Sequence, residues 1–158
     1  MQKITPFLWF DDNAEKAVAF YTSIFEKSRT VSVSRYGDAG PGPKGRVMVM
    51  KFEIEGQEFV ALNGGPQFHF TEAVSFVVNC KDQKEVDDYW DRLSAGGQTS
   101  QCGWLKDRFG LSWQIVPDAL GKMLGDKDPA KAQRVMKAML RMTKIDIEEL
   151  KAAYDGKG

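Results

Sequence analysis

The chain lacks several features that would identify a function directly. Its 158 residues include one histidine and two cysteines, and 22 Lys and Arg are balanced by 22 Asp and Glu. A chain without net charge offers no general attraction for nucleic acid, an anionic membrane or acidic substrates. We therefore expect neither nucleic acid nor a membrane as a partner.

The small number of cysteines and the short apolar runs indicate the cellular compartment of the protein. Cys80 and Cys102 are too few and too far apart for a disulfide framework or a zinc knuckle. The N-terminal segment MQKITPFLWFDDNAEKA has only a short apolar run, followed by acidic residues and not by a cleavage site. No stretch approaches the roughly 20 apolar residues of a membrane helix. We expect a cytoplasmic protein with reduced thiols.

The first half of the chain predicts one strand, one helix and three further strands. Strands are expected at residues 3–10, 30–36, 46–54 and 58–62, with a hairpin turn at residues 55–57. Asp12 followed by Glu15 is typical of a locally capped helix start. Apolar residues then recur at helical spacing and form one stripe: Ala17, Phe20, Tyr21, Ile24 and Phe25. The Gly/Pro segment at 37–45 lacks phosphate-loop spacing, so it predicts a mobile connection.

The same pattern starts again in the second half. Strands are expected at residues 73–79, 98–102, 104–106 and 111–116, and Gly96 with Gly97 ends a helix that starts near Asp82. Asp12 maps onto Asp82, and Phe20 onto Trp90, at one offset of 70 residues (82 minus 12). This offset predicts a duplicated βαβββ unit with its border at 64–71.

After Pro117 the composition changes to helix formers. Asp128 followed by Pro129 is typical of a capped helix start. Apolar residues recur at helical spacing at Ala132, Val135, Met136, Met139 and Leu140, and again at Ile147, Leu150 and Tyr154. Such stripes favour core or dimer packing over a peptide-binding groove. We predict three parts: a module at 1–65, a second at 70–118 and a helical extension at 119–158.

Three segments of the chain resemble a known family. PFLWFDDNAEKAVAFYTSIF, LNGGPQFHFTEAVSFVVNC and QCGWLKDRFGLSWQIVP are similar to the PhnB-like proteins, often labelled demethylubiquinone methyltransferase-like. These proteins belong to the vicinal-oxygen-chelate, or glyoxalase/bleomycin-resistance, superfamily. The resemblance covers residues 3–117 and implies an α+β fold in which two βαβββ modules form an incomplete barrel around a cavity. It also implies a homodimer.

The resemblance implies a divalent metal in the enzymes of the superfamily, held on the first and last strands of each module. Those positions fall here at residues 5–7, 62–63 and 73–75 and at Gln114. Zinc, iron and manganese need three or more N, S or carboxylate donors, whereas these positions offer one or two neutral amides. We therefore expect no metal and no cofactor. The methyltransferase label also lacks the glycine-rich strand-to-helix loop of the common S-adenosylmethionine fold.

Six residues are candidates for binding a ligand in the cavity that the resemblance implies. We expect hydrogen bonds from Asn63, Ser112 and Gln114 and apolar walls from Phe7, Trp9 and Trp104. Because strand residues alternate between faces, Trp113 points away from Gln114, and we expect it to pack beneath a helix. At Asp107 and Arg108 we expect a tight turn in which both charged groups are solvated.

Two further residues have both a catalytic and a structural interpretation. His69, the single histidine, could act as a general base, but its position beside two phenylalanines favours a linker imidazole. Cys102 could be a nucleophile, yet no basic residue lies close in sequence to lower its pKa. A small buried filler is the favoured interpretation, and more so for Cys80.

The leading hypothesis is a metal-free, homodimeric protein that binds a small molecule. One alternative is a metal-dependent lyase, isomerase or dioxygenase with a relocated site that recruits His69 together with Asn63 or Gln114. Another is a dimeric structural or partner-binding protein that interacts through the apolar stripes of its C-terminal helices. The residues themselves leave the ligand unspecified.

Overall fold

A computed structural model describes residues 2–157 of the chain. Within that range the elements follow in the order β1 Phe7–Phe10, α1 Ala14–Ile24, β2 Ser28–Arg35, β3 Val47–Ile54, β4 Gln57–Asn63, β5 Ser75–Cys80, α2 Gln83–Ser94, β6 Gln98–Thr99, β7 Trp104–Lys106, β8 Ser112–Pro117, α3 Asp118–Leu124, α4 Pro129–Leu140 and α5 Ile147–Tyr154. In these residues we find no helix with the length and apolar character needed to cross a membrane.

The chain divides into two compact units between Phe70 and Thr71. The first contains a sheet of order β1-β4-β3-β2, and the second a sheet of order β5-β8-β7-β6. In each sheet the first and last strands of the unit pair in parallel and the other neighbours are antiparallel. The shared order confirms the predicted α+β class and the duplicated βαβββ unit.

The start of α1 differs from its prediction. Asn13 occupies the N-cap position without a side-chain capping bond, and Asp12 is exposed. The capping oxygen comes from Asn63 at the end of β4, whose Oδ1 accepts from the Ala14 N–H at 2.8 Å. The predicted local cap was wrong because β4 runs parallel to β1 and so ends beside the helix start. In α2 the local cap is confirmed, since Asp82 accepts from the Glu85 N–H.

The core of the first unit forms between α1 and one face of its sheet. Tyr21 and Phe52 are fully buried and their rings stack, with centroids 6.1 Å apart. Phe59 continues the stack at 5.3 Å from Phe52. The predicted hairpin between β3 and β4 is present, and its two turn residues, Glu55 and Gly56, have φ of 49° and 81°. Such a turn matches the twist of the strands that it joins.

Segment 37–45 is anchored at Tyr36. The Tyr36 ring is buried, and its hydroxyl donates to the Asn63 carbonyl at 2.5 Å. Gly40 and Gly42 lie so close to this ring that a Cβ at either position would meet it. The two glycines therefore let the backbone of the segment pass next to the aromatic side chain.

Two strand predictions were too long. β1 begins at Phe7, because Pro6 has no N–H to donate to a strand partner. β6 ends at Thr99, because the chain turns before β7, where the Trp104 N–H bonds to the Gln101 carbonyl at 3.1 Å. Cys102, in that turn, has a positive φ of 59°. A strand cannot continue through such a conformation.

The C-terminal helices pack around a core of their own. Asp128 accepts from the Ala130 N–H, so the predicted start of α4 is confirmed. Leu140 was predicted to lie on the apolar stripe but is 58% exposed, and Ala138 is buried in its helix instead. The core contains Leu120, Val135, Ala138, Met142, Ile145, Leu150 and Ala153. The short helix α3 was not predicted.

The segment between α4 and α5 is joined to the sheet region of the second unit. The Cys102 N–H bonds to the Met142 carbonyl at 2.9 Å, and the Gly103 N–H to the Thr143 carbonyl at 2.8 Å. On the other side, the Gln83 amide donates to the carbonyl of Ile145 and accepts from the N–H of Ile147. These bonds make the helices an integral part of the second unit.

Candidate functional site

Alternate residues of β5, β7 and β8 share one face of the second sheet. Ser75 pairs with Ser112 between the parallel strands. Trp104 pairs with Gln114, and Lys106 with Ser112, between the antiparallel strands. Because paired residues point to the same side of a sheet, these five side chains lie on one face. The register thus brings together Trp104, Ser112 and Gln114, three of the predicted ligand-binding residues.

The opposite face of this sheet is core. Leu105, Trp113 and Ile115 are buried there, and α2 contacts both β7 and β8. Trp113 therefore packs as predicted, in the buried layer and away from Gln114. The polar face is the side of the sheet opposite to this buried layer.

A pocket of about 270 Å³ opens on the polar face. It is lined by Glu72, Gln98, Thr99, Ser100, Trp104, Leu105, Lys106 and Ser112. The wall combines one indole ring with hydroxyl, amide, ammonium and carboxylate groups. A pocket with an apolar wall and a few convergent polar groups is the usual form of a small-molecule site.

Ser112 has the most unusual environment in the pocket. It is 1% exposed, and its Oγ has no hydrogen-bond partner in the structure. Among residues 2–157 it is the one buried side-chain oxygen or nitrogen in this condition. A buried polar atom left unpaired costs about 1–3 kcal/mol. A ligand in the pocket could supply the missing partner.

Gln114 and Ser75 hold each other in place. The Gln114 Nε2 donates to the Ser75 Oγ at 2.9 Å. Both residues occupy positions where the family resemblance places metal ligands, and the corresponding first-unit positions include Phe7 and Leu62. Hydroxyl, amide and apolar side chains do not fit the donor set of a zinc, iron or manganese site. In the part of the chain that the structure describes, no cluster of three or more His, Cys, Asp or Glu could hold a metal ion.

Lys106 and Glu72 form an ion pair at the pocket. The Lys106 Nζ contacts the Glu72 Oε1, and the two side chains are 40% and 62% exposed. The hydrogen bond from Lys106, and then its charge, lower the pKa of the Glu72 carboxyl. Sequence reasoning missed both residues. Lys106 could have been found from its alternation with Trp104 on β7, whereas nothing in the sequence marks Glu72.

Phe7 and Trp9 lie in the first unit, on the sheet face that points away from α1. Phe7 is 59% exposed, while the Trp9 indole N–H donates to the Gly65 carbonyl at 2.8 Å. The Trp9 ring covers Gly64, where a Cβ would clash, and meets the Phe68 ring edge-on at 4.9 Å. The two predicted wall residues thus form an apolar surface on the first sheet.

Asn63 lies on the other face of that sheet, beneath α1. Besides accepting from Ala14, it donates through Nδ2 to the Glu15 carboxylate at 2.7 Å and to the Val47 carbonyl at 3.0 Å. It also lines a first-unit pocket of about 330 Å³. Because its amide oxygen and both amide hydrogens are used, its observed role is to hold the start of α1. His69 is exposed in the segment between β4 and β5.

The two thiols differ in environment. Cys80 is fully buried, and burial raises its pKa to about 12, with a further contribution from the charge of Glu85. A thiol that stays protonated is a poor nucleophile, so Cys80 acts as a small apolar filler. Cys102 is partly exposed in the turn before β7.

The prediction of solvated charges at Asp107 and Arg108 was wrong for Asp107. Its carboxylate is 3% exposed and accepts from the N–H groups of Phe109 and Leu111 and from the indole of Trp113. The turn between β7 and β8 needs an acceptor for these three donors, and the carboxylate provides it. Arg108 is exposed and bonds to the Ala95 carbonyl.

Comparisons with known proteins identify the family and agree with the fold. The family described as 3-demethylubiquinone-9 3-methyltransferase matches residues 2–116. The structure of the PhnB protein from Bacillus cereus is 39% identical and covers 73% of this chain and 99% of its own, with a TM-score of 0.67. No curated protein matches the chain.

More distant structures share the fold. Protein PA1353 from Pseudomonas aeruginosa is 20% identical and covers 75% of this chain and all of its own, with a TM-score of 0.60. The fosfomycin resistance protein FosX from Listeria monocytogenes, solved with Mn(II) and sulfate, is 18% identical, with a TM-score of 0.54. It covers 78% of this chain and 97% of its own.

Proposed function

The chain belongs to the PhnB-like family described as 3-demethylubiquinone-9 3-methyltransferase, within the vicinal-oxygen-chelate superfamily, and we propose that it binds a small molecule without a metal ion. The binding site in this proposal is the pocket of the second unit. Ser112 contacts the polar group of the ligand, and Trp104 contacts its apolar part. Gln114 lies on the same sheet face, outside the lining of this pocket, where it bonds to Ser75.

The unpaired Ser112 hydroxyl is the observation that supports this proposal. Native proteins pair nearly all their buried polar groups, so an orphan oxygen in a pocket wall favours a missing partner. A serine hydroxyl can both donate and accept, which suits a ligand carbonyl, hydroxyl or acidic oxygen.

Metal-dependent chemistry and methyl transfer have less support. The family positions for metal ligands fall at residues 5–7, 62–63 and 73–75 and at Gln114. Their polar side chains are hydroxyls and neutral amides, which form no metal-binding donor set. Both sheets are mixed and small, unlike the doubly wound parallel sheet of the common S-adenosylmethionine fold. Metal analysis of protein purified without chelators tests this ranking, because a stoichiometric metal would reverse it.

We also propose a homodimer. Phe7 and Phe68 in the first unit, and Val74 and Val77 in the second, are large apolar residues that are 49–64% exposed. Exposed apolar surface of this kind favours association with another protein surface. Sedimentation equilibrium across a range of concentrations tests the proposal, and a monomer at every concentration would contradict it.

A thermal-shift screen tests ligand binding. Aromatic, quinone-like and phosphonate compounds should include binders that raise the melting temperature of the wild-type chain. Ser112→Ala should keep the stability of the fold, because Oγ makes no hydrogen bond, but lose most of the ligand-induced shift. Ser34→Ala, on the exposed strand β2, is the matched control and should behave as wild type. A screen without any stabilising compound would contradict the proposal.

A further inference from the structure

The pocket of the second unit contains an ammonium group beside an unpaired hydroxyl. Lys106 and Ser112 are direct partners across the antiparallel strands β7 and β8, and both side chains line the pocket. Lysine offers three N–H donors and a positive charge, and serine adds an O–H donor. The two groups together are suited to a negatively charged oxygen.

A carboxylate of the protein already occupies part of this position. Glu72 lies before β5, outside any regular element, and its Oε1 contacts the Lys106 Nζ. The carboxylate is largely exposed, and it makes no hydrogen bond to the Ser112 hydroxyl, which stays unpaired. The pocket therefore shows that a carboxylate can reach Lys106 and leaves the second donor unused.

We propose that the pocket binds the oxyanion group of a small organic molecule, a carboxylate or a phosphonate, and that this group displaces Glu72 from Lys106. The inference rests on the proposed small-molecule function and specifies the chemical class of its ligand. The bound oxyanion accepts hydrogen bonds from the Lys106 ammonium and the Ser112 hydroxyl, while the Trp104 ring contacts the organic part.

The energetics favour such an exchange. An ion pair between exposed side chains contributes little to stability, so Glu72 is easily displaced. The incoming oxyanion keeps the charge interaction and adds the bond to a buried hydroxyl, and bonds to charged groups are the stronger class. Glu72 then acts as a weak internal competitor, which holds Lys106 in position when no ligand is bound.

Isothermal titration calorimetry on the full chain tests the inference with three probes of similar shape. Phenylphosphonate and benzoate carry an oxyanion, and benzamide is the neutral counterpart of benzoate. We expect both anions to bind at least about tenfold more tightly than benzamide, since bonds to charged groups are stronger than neutral ones. Inorganic phosphate serves as a fourth arm. If inorganic phosphate bound as tightly as phenylphosphonate, the site would be one for free phosphate, and the proposal of an organic ligand would be wrong.

Charge variants locate the site. Lys106→Met should weaken anion binding at least about tenfold. Glu72→Gln should strengthen it about two- to fivefold, because an exposed carboxylate competes only weakly. This gain of affinity cannot come from misfolding. Glu148→Gln removes the same charge from an exposed site on α5 and should leave affinity unchanged.

The outcomes separate this inference from the function on which it rests. If benzamide binds as tightly as benzoate and Ser112→Ala abolishes both, the pocket binds ligands but the oxyanion inference is wrong. If anions bind and Glu72→Gln has no effect, the displacement of Glu72 is wrong. If the anions fail to bind while the broad thermal-shift screen finds a Ser112-dependent ligand, the oxyanion inference alone fails.

Discussion

Trp113 donates its indole N–H to the carboxylate of Asp107 across 2.9 Å, and both side chains are buried. The same carboxylate accepts from the backbone N–H groups of Phe109 and Leu111. One acidic side chain therefore organises the turn between β7 and β8 and fixes the tryptophan of the adjacent core. The strands that it joins carry Lys106 and Ser112 of the candidate pocket.

Asp107→Ala should destabilise the protein by about 3 kcal/mol, because three donors, two of them in buried hydrogen bonds, lose this acceptor. Urea unfolding followed by circular dichroism measures the loss. Trp113→Phe is the control that removes one of the three bonds, and it should cost less than the alanine variant. A smaller loss for Asp107→Ala than for Trp113→Phe would contradict the role assigned to the carboxylate.

Asn63→Ala should destabilise the first unit by about 2 kcal/mol, since the start of α1 loses its capping oxygen and the Val47 carbonyl loses a donor. Asn13→Ala is the matched control, because Asn13 occupies the N-cap position without a side-chain bond. We expect that control to stay within about 0.5 kcal/mol of wild type. Thermal unfolding of both variants gives the comparison, and equal losses would refute the long-range cap.

Ile145→Ala should cost about 2–4 kcal/mol, because Ile145 is fully buried in the core of the C-terminal helices and the change leaves a cavity. Leu140→Ala removes a similar side chain that is 58% exposed, and it should change stability by about 0.5 kcal/mol or less. Chemical denaturation distinguishes the two variants. Similar stabilities would contradict the role of Ile145 as a buried part of this core.

The hydrogen bond between Tyr154 and Asp126 should stabilise the protein only between an acidic and an alkaline pH limit. The Tyr154 hydroxyl donates to Asp126 at 2.5 Å, and this bond raises the pKa of Tyr154 and lowers that of Asp126. Because the pKa of Tyr154 is raised on folding, its contribution to the free energy of unfolding is fully present below the unfolded pKa, about 10. This contribution is lost as the pH rises through the folded pKa. Because the pKa of Asp126 is lowered on folding, its contribution is fully present above the unfolded pKa, about 4. It is lost as the pH falls through the folded pKa.

Ultraviolet difference titration checks the alkaline limit. Subtracting the Tyr154→Phe titration from that of wild type isolates this tyrosine from the other three. Asp126→Asn should move its transition to lower pH, because the phenolate no longer forms beside a carboxylate. An unchanged transition in Asp126→Asn would show that the hydrogen bond does not control the titration.

The fold could be predicted from the sequence because its main signals are local and repeated. The cap of α2 at Asp82 and the turn at Gly56 depend on residues near in the chain. The cap of α1 could not be predicted in this way, since Asn63 is distant in sequence and reaches Ala14 only through the pairing of β1 with β4. The local signal at Asp12 therefore favoured a cap that does not form.

The candidate site was predictable on one strand and hidden elsewhere. Alternation along β8 places Ser112 and Gln114 on one face, and that face could be read from the sequence. The contact between Lys106 and Glu72 could not, because Glu72 belongs to an irregular segment without a periodic pattern. Asp107 was misjudged because a charged residue in a turn is usually solvated, whereas here three donors converge on it.

From the two ways of capping a helix we expect the duplicated units to fold in different orders. In the second unit the cap joins residues three positions apart, so α2 can start as soon as its own first turn forms. In the first unit the cap spans 49 residues, so the capping bond of α1 forms only when β4 has docked beside β1. Closing that longer loop costs chain entropy before any contact compensates it. We therefore expect the first unit to stabilise its helix and its sheet together, and the second to assemble its sheet on a helix whose cap already exists.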